Sequence, residues 1–213
     1  MRMIYKLGFS LLLLSFLFSL LGDGLSLKDK RALVKEARRL GTLGIRYAAS
    51  WKAPGETKAR TMDCSGTAQY LYKHVLNKDI SRSSYSQYQD LIKVNRIKDV
   101  PMKAGKIDVD KLKKELRTGD LLFWVNTHDD IPADRNPPVS HVMVYLGIDK
   151  DGNMKMGGSH TFEKGETSQR GGPDVFFFKP DASIGCVHSV KGNRKSPCIK
   201  GKESRFMAYG MPE

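Results

Sequence analysis

The chain has 213 residues and a formal net charge of +13 at pH 7, with 36 Lys and Arg residues against 23 Asp and Glu. This length fits one domain, and a charge this high predicts attraction to polyanions. The sequence contains no basic strand interleaved with aromatic residues and no other nucleic-acid-binding module, so nucleic acid is not the expected partner. A solvated charged surface without a specific partner explains the composition equally well.

The N-terminus is organised like a secretory signal peptide. Arg2 and Lys6 precede an apolar run at residues 11–21, and small or polar residues follow it. The run is shorter than the roughly 20 residues of a spanning helix, which favours a cleaved signal peptide at residues 1–26 over a membrane anchor. Lipid attachment is not expected because no cysteine lies near the end of the run. We therefore expect an exported protein, periplasmic or secreted, whose polyanionic partners would be cell-wall polymers or anionic lipid surfaces.

The mature chain, residues 27–213, is predicted to be a single α+β domain with an extended tail at about 173–213. Helical spacing of apolar residues predicts a helix at 27–40, with Ser26 as its N-cap and Gly41 as its end, and a second helix at Cys64–Leu76. Later segments predict a strand at 91–94, a helical turn at 110–116, and strands at Leu121–Val125, 141–147, Met154–His160, 175–178 and 206–209. Helices followed by a run of antiparallel strands are typical of α+β domains.

The chain has three cysteines, Cys64, Cys186 and Cys198. In an oxidising compartment two of them can pair, and Cys186 and Cys198 are close in sequence with flexible residues between them. We therefore predict a disulfide between Cys186 and Cys198, which leaves Cys64 as a free thiol.

Cys64 is the candidate nucleophile. It opens the second predicted helix, where the helix dipole favours a thiolate, and Asp63 is suited to cap that helix. Gly66 removes a side chain beside the thiol, so a substrate backbone could approach closely. The alternative is an inert buried cysteine, but the neighbouring residues are polar or small rather than apolar.

A thiol nucleophile needs a base, and the chain offers five histidines. His74 lies on the nucleophile helix more than two turns away and cannot reach its first residue. His128 and His188 lie in loops that fix no position for them. His141 begins one predicted strand and His160 ends the next, so these two are the candidates.

The predicted hairpin brings His141 and His160 together. A turn centred on Lys150-Asp151 makes them direct cross-strand partners, and one centred on Asp151-Gly152 makes them diagonal neighbours. Both registers place the two rings on one face of the sheet. A three-residue loop would move His160 to the other face.

Three motifs closely resemble the NlpC-type cell-wall peptidase family: Asp63-Cys64-Ser65-Gly66, then residues 119–123 (Gly-Asp-Leu-Leu-Phe), then residues 140–147 (Ser-His-Val-Met-Val-Tyr-Leu-Gly). The resemblance covers about residues 33–160. It implies a papain-like core in which the nucleophile helix packs on an antiparallel sheet. It also implies hydrolysis of a peptide or isopeptide bond in the peptidoglycan stem, often beside D-glutamate and diaminopimelate.

The resemblance implies a role for each site residue. Cys64 would be the nucleophile, His141 the general base and His160 the polar residue that orients the imidazole. The backbone N–H of Cys64 would donate to the oxyanion, with Tyr47 as a second donor. The residues expected to bind substrate are Tyr47, Asp63, Ser65 and Gly66.

The sequence departs from the family pattern in several places. The family usually has a Tyr followed by Trp-Gly-Gly before the nucleophile, whereas this chain keeps Tyr47 and has only Trp51 after it. The third catalytic residue commonly lies a few positions before His160. The loop at 126–139 and the tail after Gly172 match no part of the family pattern, so we expect them to set this chain's specificity.

No cofactor or metal is expected. His128, Asp129, Asp130 and Asp134 cluster in the 126–139 loop, but their spacing matches no known metal cage. The same Cys–His chemistry also serves two other functions, a CHAP-like amidase and an acyl- or amide-transferase. A non-catalytic cell-wall-binding protein on a retired peptidase scaffold is the alternative from a different class.

Overall fold

The structure is a computed structural model that describes residues 24–48, 61–161, 163–168, 171–188, 192–194 and 202–212. Most of the predicted signal peptide therefore lies outside the described residues, as do Trp51 and Cys198. Within the described ranges, no helix combines the length and the apolar character needed to cross a membrane.

The described chain forms an α+β domain, as predicted. Its helices are α1 Leu27–Thr42, α2 Cys64–Leu76, α3 Ser84–Lys93 and α4 Val109–Glu115. Its strands are β1 Ile97–Asp99, β2 Met102–Lys103, β3 Lys106–Ile107, β4 Leu121–Val125, β5 Val139–Ile148, β6 Met154–His160, β7 Gly172–Phe177, β8 Cys186–His188, β9 Gly192–Arg194 and β10 Arg205–Gly210. Six strands form one antiparallel sheet in the order β1-β10-β4-β5-β6-β7, and β2-β3 and β8-β9 are separate two-stranded pairs.

The two helices predicted before the sheet are present, with the predicted caps. The Ser26 side chain accepts a hydrogen bond from the Asp29 N–H, and the Asp63 side chain accepts one from the Gly66 N–H. Each cap satisfies a backbone donor that has no partner inside its helix. α1 continues to Thr42, slightly beyond the predicted end.

The predicted strand at 91–94 is wrong, because these residues end helix α3 and follow it. The buried positions of α3 are Ser84, Gln87, Tyr88 and Leu91, which recur at helical spacing. Two of the four are polar, so a search for apolar periodicity does not detect the helix. The strand of this region is β1, which begins after α3 and pairs with β10 at the edge of the sheet.

Both faces of the sheet are buried. The face toward α1 and α2 shares a core with those helices, which includes Leu33, Leu40, Leu71, Phe123, Val142 and Val144. The opposite face has a second core, which includes Leu112 of α4, Trp124, Met143, Tyr145, Phe176 and Phe206. Strand β4 is therefore apolar at every position, whereas a half-exposed strand would alternate.

The β5–β6 connection contains two irregularities. The hairpin loop has three residues, 150–152, and the N–H of Asp149 donates to the carbonyl of Asn153 across it at 2.9 Å. A β-bulge then shifts the register by one residue between Tyr145 and Gly147.

The two irregularities cancel. Beyond the bulge, Val144 lies opposite Gly157, and the same register continued along both strands places His141 opposite His160. Without the bulge, the three-residue loop would have put the two imidazoles on opposite faces of the sheet. The two imidazoles thus lie beside each other, with ring centroids 6.1 Å apart, although the loop is not one of the two predicted turns.

The Gly-Asp motif at the start of β4 is a structural joint. The N–H of Gly119 donates to Tyr145 O at 2.8 Å, the N–H of Tyr145 donates to Asp120 O at 2.7 Å, and the hydroxyl of Tyr72 on α2 donates to Gly119 O. The Asp120 carboxylate accepts the N–H of Arg117 at 2.7 Å, and burial raises its pKa to about 6. This joint fixes α2 to β4 and β5.

The cysteines have different states. Cys64 is a free, buried thiol, and Cys186 at the start of β8 is disulfide-bonded. Cys198 lies outside the described residues, so its pairing with Cys186 stays a prediction.

Candidate active site

The first residue of α2 lies at the point where β5 and β6 separate. Regular pairing of these strands ends at Val144 and Gly157. The hydroxyl of Ser159 on β6 donates to Met62 O at 2.7 Å, which holds the segment before α2 against that strand.

On the other side of this opening, the Val142 N–H faces the Cys64 thiol and lowers its pKa. Val142 directly follows His141 in β5. The nucleophile therefore lies one residue along the strand from its candidate base.

The Cys64 thiol is almost completely buried, with 5% of the residue exposed. The Tyr47 hydroxyl donates to the Cys64 Sγ at 3.9 Å, and the backbone N–H groups of Val142 and Ser65 lower the thiol pKa. Burial and the nearby charge of Asp63 act more strongly and raise the pKa of Cys64 to about 11. The resting thiol is therefore protonated, with three donors directed at its sulfur.

A polar network holds the turn that carries the nucleophile. The Asp63 carboxylate accepts the N–H of Gly66 at 2.7 Å and forms an ion pair with Arg82 at 2.7 Å. Arg82 also donates to the Ser65 hydroxyl at 2.8 Å, and the Gln87 amide donates to Ser65 O at 3.2 Å. Arg82 and Gln87 thus fix the geometry of the first turn of α2 from the segment that leads into α3 and from α3 itself.

His141 lies in a dry part of the sheet. It is 6% exposed, and its ring packs edge-on against Trp124, its cross-strand partner in β4, with centroids 5.9 Å apart. Burial lowers the pKa of His141 to about 3, with a further contribution from the charge of His160. The imidazole is therefore neutral in this state and able to accept a proton.

His160 lies beside His141, with ring centroids 6.1 Å apart in an edge-to-face arrangement. Its Nδ1 accepts a hydrogen bond from the N–H of Glu163 at 3.3 Å. A neutral imidazole that accepts at Nδ1 carries its proton at Nε2. Burial lowers the pKa of His160, which favours the neutral form.

The two imidazoles line a small cavity with a solvent-accessible volume of about 10 Å³. The residues around it are Tyr47, Thr127, His128, Ser140, His141, His160, Thr161, Ile184, Gly185, Cys186 and Val187. The cavity thus combines predicted site residues with the loop after β4 and a segment of the C-terminal tail.

The sequence profile of the NlpC/P60 family matches residues 49–172, which is more than half of the chain. The chain belongs to the NlpC/P60 family. A solved structure from Staphylococcus aureus subsp. aureus Mu50, described as similar to a lipoprotein of the NLP/P60 family, is 20% identical to this chain with a TM-score of 0.40. The similarity covers 63% of this chain and 34% of that one, so this chain spans about a third of that protein's length. No curated protein matches the chain.

Membership of the NlpC/P60 family indicates in general terms a cysteine peptidase or hydrolase related to the cell wall. The α+β fold expected from the resemblance is confirmed. Cys64, His141, His160 and Tyr47 converge at the opening between β5 and β6. Their catalytic roles, and the substrate-binding roles predicted for Asp63, Ser65 and Gly66, stay predictions.

Several residues of this NlpC/P60 site were missed by the sequence reasoning. Arg82 and Ser159 hold the nucleophile segment through long-range side-chain hydrogen bonds, for which a sequence has no periodic signal. The contribution of residues 184–187 to the cavity depends on long-range folding of the tail. The 126–139 loop was expected to affect specificity, and its first residues do line the cavity.

Of the clustered polar residues in the 126–139 loop, His128 lines the same cavity. The potential ligand atoms of His128, Asp129 and Asp130 all lie within 4.8 Å of one another, and Asp134 is not part of this group. His128 Nδ1 is in contact with a carboxylate oxygen of Asp130 and lies 3.9 Å from one of Asp129.

Proposed function

We propose that the chain is an exported cysteine hydrolase that cleaves a peptide or isopeptide bond in peptidoglycan stem peptides, of the type between D-glutamate and diaminopimelate. The observation that carries the proposal is a free thiol at a helix N-terminus, facing the backbone of the residue that follows His141, together with the two neutral, buried imidazoles of His141 and His160. Membership of the NlpC/P60 family supports the class of substrate. Export rests on the N-terminal basic and apolar segments of the sequence.

In the proposed reaction the Cys64 sulfur attacks the scissile carbonyl carbon while His141 accepts the thiol proton. Burial opposes both a free thiolate and an imidazolium, so proton transfer accompanies the formation of the S–C bond. The backbone N–H of Cys64 and the hydroxyl of Tyr47 donate to the oxyanion, on which the negative charge develops as the S–C bond forms.

The intermediate then loses its amine. The C–N bond breaks, His141 returns its proton to the leaving nitrogen, and a thioester remains on Cys64. Water hydrolyses the thioester, which releases a carboxylic acid and restores the thiol. His160 acts as a positioning residue, because its fixed tautomer and edge-to-face contact limit the rotation of the His141 ring.

Digestion of purified peptidoglycan by the mature protein and by Cys64→Ala tests this proposal. Stem-peptide fragments released only by the unaltered protein, and identified by mass, would establish the endopeptidase and name the bond. Cleavage between sugar and peptide would indicate a CHAP-like amidase. Cleavage by neither protein, with Cys64 reactive toward an alkylating agent, would favour an acyl- or amide-transferase, and an unreactive Cys64 would favour a wall-binding scaffold.

The basic surface suits a second role in localisation. With a net charge of +13, the protein is expected to associate with an anionic cell-wall polymer or membrane surface, which would concentrate it near its substrate. Sedimentation with purified cell walls at low and high salt tests this part of the proposal. Binding that does not weaken at high salt would contradict an electrostatic mechanism.

A further inference from the structure

A short piece of the C-terminal tail forms one side of the catalytic cavity. Residues 183–187, here named the C-terminal wall, follow the region matched by the family profile, which ends at residue 172. Four of its residues line the same cavity as Tyr47, His141 and His160. A substrate that enters from this side must pass the wall to reach the two imidazoles and Tyr47, whose hydroxyl contacts the Cys64 sulfur.

The wall is attached to the domain at its N-terminal end through Ser204. The Ser204 hydroxyl accepts the N–H of Ile184 at 3.0 Å and shares a hydrogen bond of 2.7 Å with the Ser183 hydroxyl. Ser204 is itself buried, with 3% of the residue exposed, so water does not replace these hydrogen bonds readily.

The other end of the wall is attached to the loop after β4. The N–H of Val187 donates to Thr127 O at 2.8 Å, and the N–H of Asp129 donates to Val187 O at 3.2 Å. Between these two bonds, His128 and Val187 form a parallel bridge. The disulfide at Cys186 adds a covalent restraint inside the wall.

The closed cavity is small for a peptide. Its solvent-accessible volume of about 10 Å³ is far below the roughly 300 Å³ at which pockets for drug-sized ligands begin. A stem peptide with residues on both sides of the scissile bond is larger than such a ligand. The attached wall therefore limits the size of the group that can enter beside the two imidazoles.

We propose that the C-terminal wall determines specificity by admitting narrow, unbranched peptide substrates to Cys64 and excluding bulky cross-linked ones. The substrate class rests on the proposed function, whereas the size limit is a property of the closed site and does not depend on hydrolysis. The restraints at Ser204 and Cys186 set how far the wall can move.

Alkylation of Cys64 in the full mature chain tests the size limit without requiring hydrolysis. The reagents are iodoacetamide, which is small, and a maleimide that carries a long polyethylene glycol chain. Modification of Cys64 is followed by mass over time. The variants are Ser204→Ala, which removes the attachment at one end of the wall, and Cys186→Ser combined with Cys198→Ser, which removes the disulfide without creating a free thiol.

We expect Ser204→Ala to raise the rate of Cys64 modification by the bulky maleimide about tenfold and the rate with iodoacetamide much less. The variant without the disulfide should change in the same direction. The matched control is Ser86→Ala on α3, whose hydroxyl is hydrogen-bonded to Ser83 outside the cavity, and it should leave both rates unchanged.

Equal effects of Ser204→Ala and Ser86→Ala would overturn the proposal. So would a wild-type ratio of bulky to small reagent rates equal to that of a short cysteine peptide, because no size limit would then exist. If a variant loses its folded state, treatment of the unaltered chain with a dithiol replaces it, since reduction transfers two electrons to the Cys186 disulfide while the sequence is intact. An unchanged ratio after reduction would refute a role for the disulfide.

Digestion separates this proposal from the proposed function. If the wall limits size, Ser204→Ala should increase release from cross-linked peptidoglycan more than from short soluble stem peptides. Absence of hydrolysis by every variant, with the expected alkylation ratios, would reject the proposed function and retain the wall.

Discussion

Burial predicts an unusual pH dependence for the reactivity of Cys64 in the absence of substrate. The pKa of the thiol is raised to about 11 and that of His141 is lowered to about 3, both chiefly by burial. At pH 7 the thiol is then about four pH units below its pKa, so roughly one molecule in 10⁴ carries a thiolate. Because the thiolate is the species that reacts, the rate of alkylation should rise about tenfold per pH unit from pH 7 to pH 10 without a plateau.

The assay is the second-order rate of iodoacetamide modification of Cys64, measured by mass at intervals from pH 6 to pH 10, with circular dichroism at each pH to confirm the fold. His141→Ala should leave this profile nearly unchanged, because a neutral imidazole supplies no charge to the thiol. Tyr47→Phe should shift the rise to higher pH, because its hydroxyl favours the thiolate. A plateau with an apparent pKa below 8, lost in His141→Ala, would show a resting thiolate–imidazolium pair and refute the reasoning.

Three further substitutions test the elements that build the site. Tyr72→Phe leaves the buried carbonyl of Gly119 without its donor, so chemical denaturation should show a loss of about 1–3 kcal/mol. Gly172→Ala should lower the free energy of unfolding by about 3 kcal/mol or more, because its φ is +89° and a Cβ there would lie 2.1 Å from a backbone oxygen. Gly152→Ala is the matched control, because its φ is +83° but the space around it is open, and it should lower the free energy of unfolding by only about 1 kcal/mol. Arg82→Lys keeps the positive charge but loses the two hydrogen bonds that the guanidinium makes to Asp63 and Ser65. It should slow peptidoglycan cleavage several-fold while the free energy of unfolding changes by less than about 1 kcal/mol. A loss of cleavage that is fully explained by a loss of folded protein would contradict a positioning role.

The sequence predicted the elements whose apolar pattern is strong. Helix α2 and strands β4 and β6 have the predicted bounds, because each is marked by a cap, a glycine or a turn at its ends. Helix α3 was missed because half of its buried positions are polar, and Gln87 is buried through hydrogen bonds to backbone carbonyls rather than through an apolar side chain. Helix propensity and apolar periodicity depend only on the local sequence, whereas Gln87 is buried because its amide contacts the first turn of α2.

The catalytic pair shows a limit of register prediction. Either predicted two-residue turn would bring His141 and His160 onto one face of the sheet, but the loop has three residues and the bulge near Tyr145 restores the register. The loop length and the bulge each shift the strand register by one residue. The sequence near Gly147 has no clear signal for either of them. The expectation that His141 and His160 lie on the same face of the sheet was therefore a better predictor of their proximity than the type of turn.

The position of the nucleophile follows from the end of the β5–β6 pairing. If β5 and β6 remained paired beyond Val144, their backbone groups would satisfy one another and no Val142 N–H would be available to the thiol. Because the strands separate there, Ser159 can hold the segment before α2 and the sulfur can take the place of a strand partner. The same opening is the place where Tyr47 approaches the sulfur, so the separation of β5 from β6 accounts for both the placement and the burial of the candidate nucleophile.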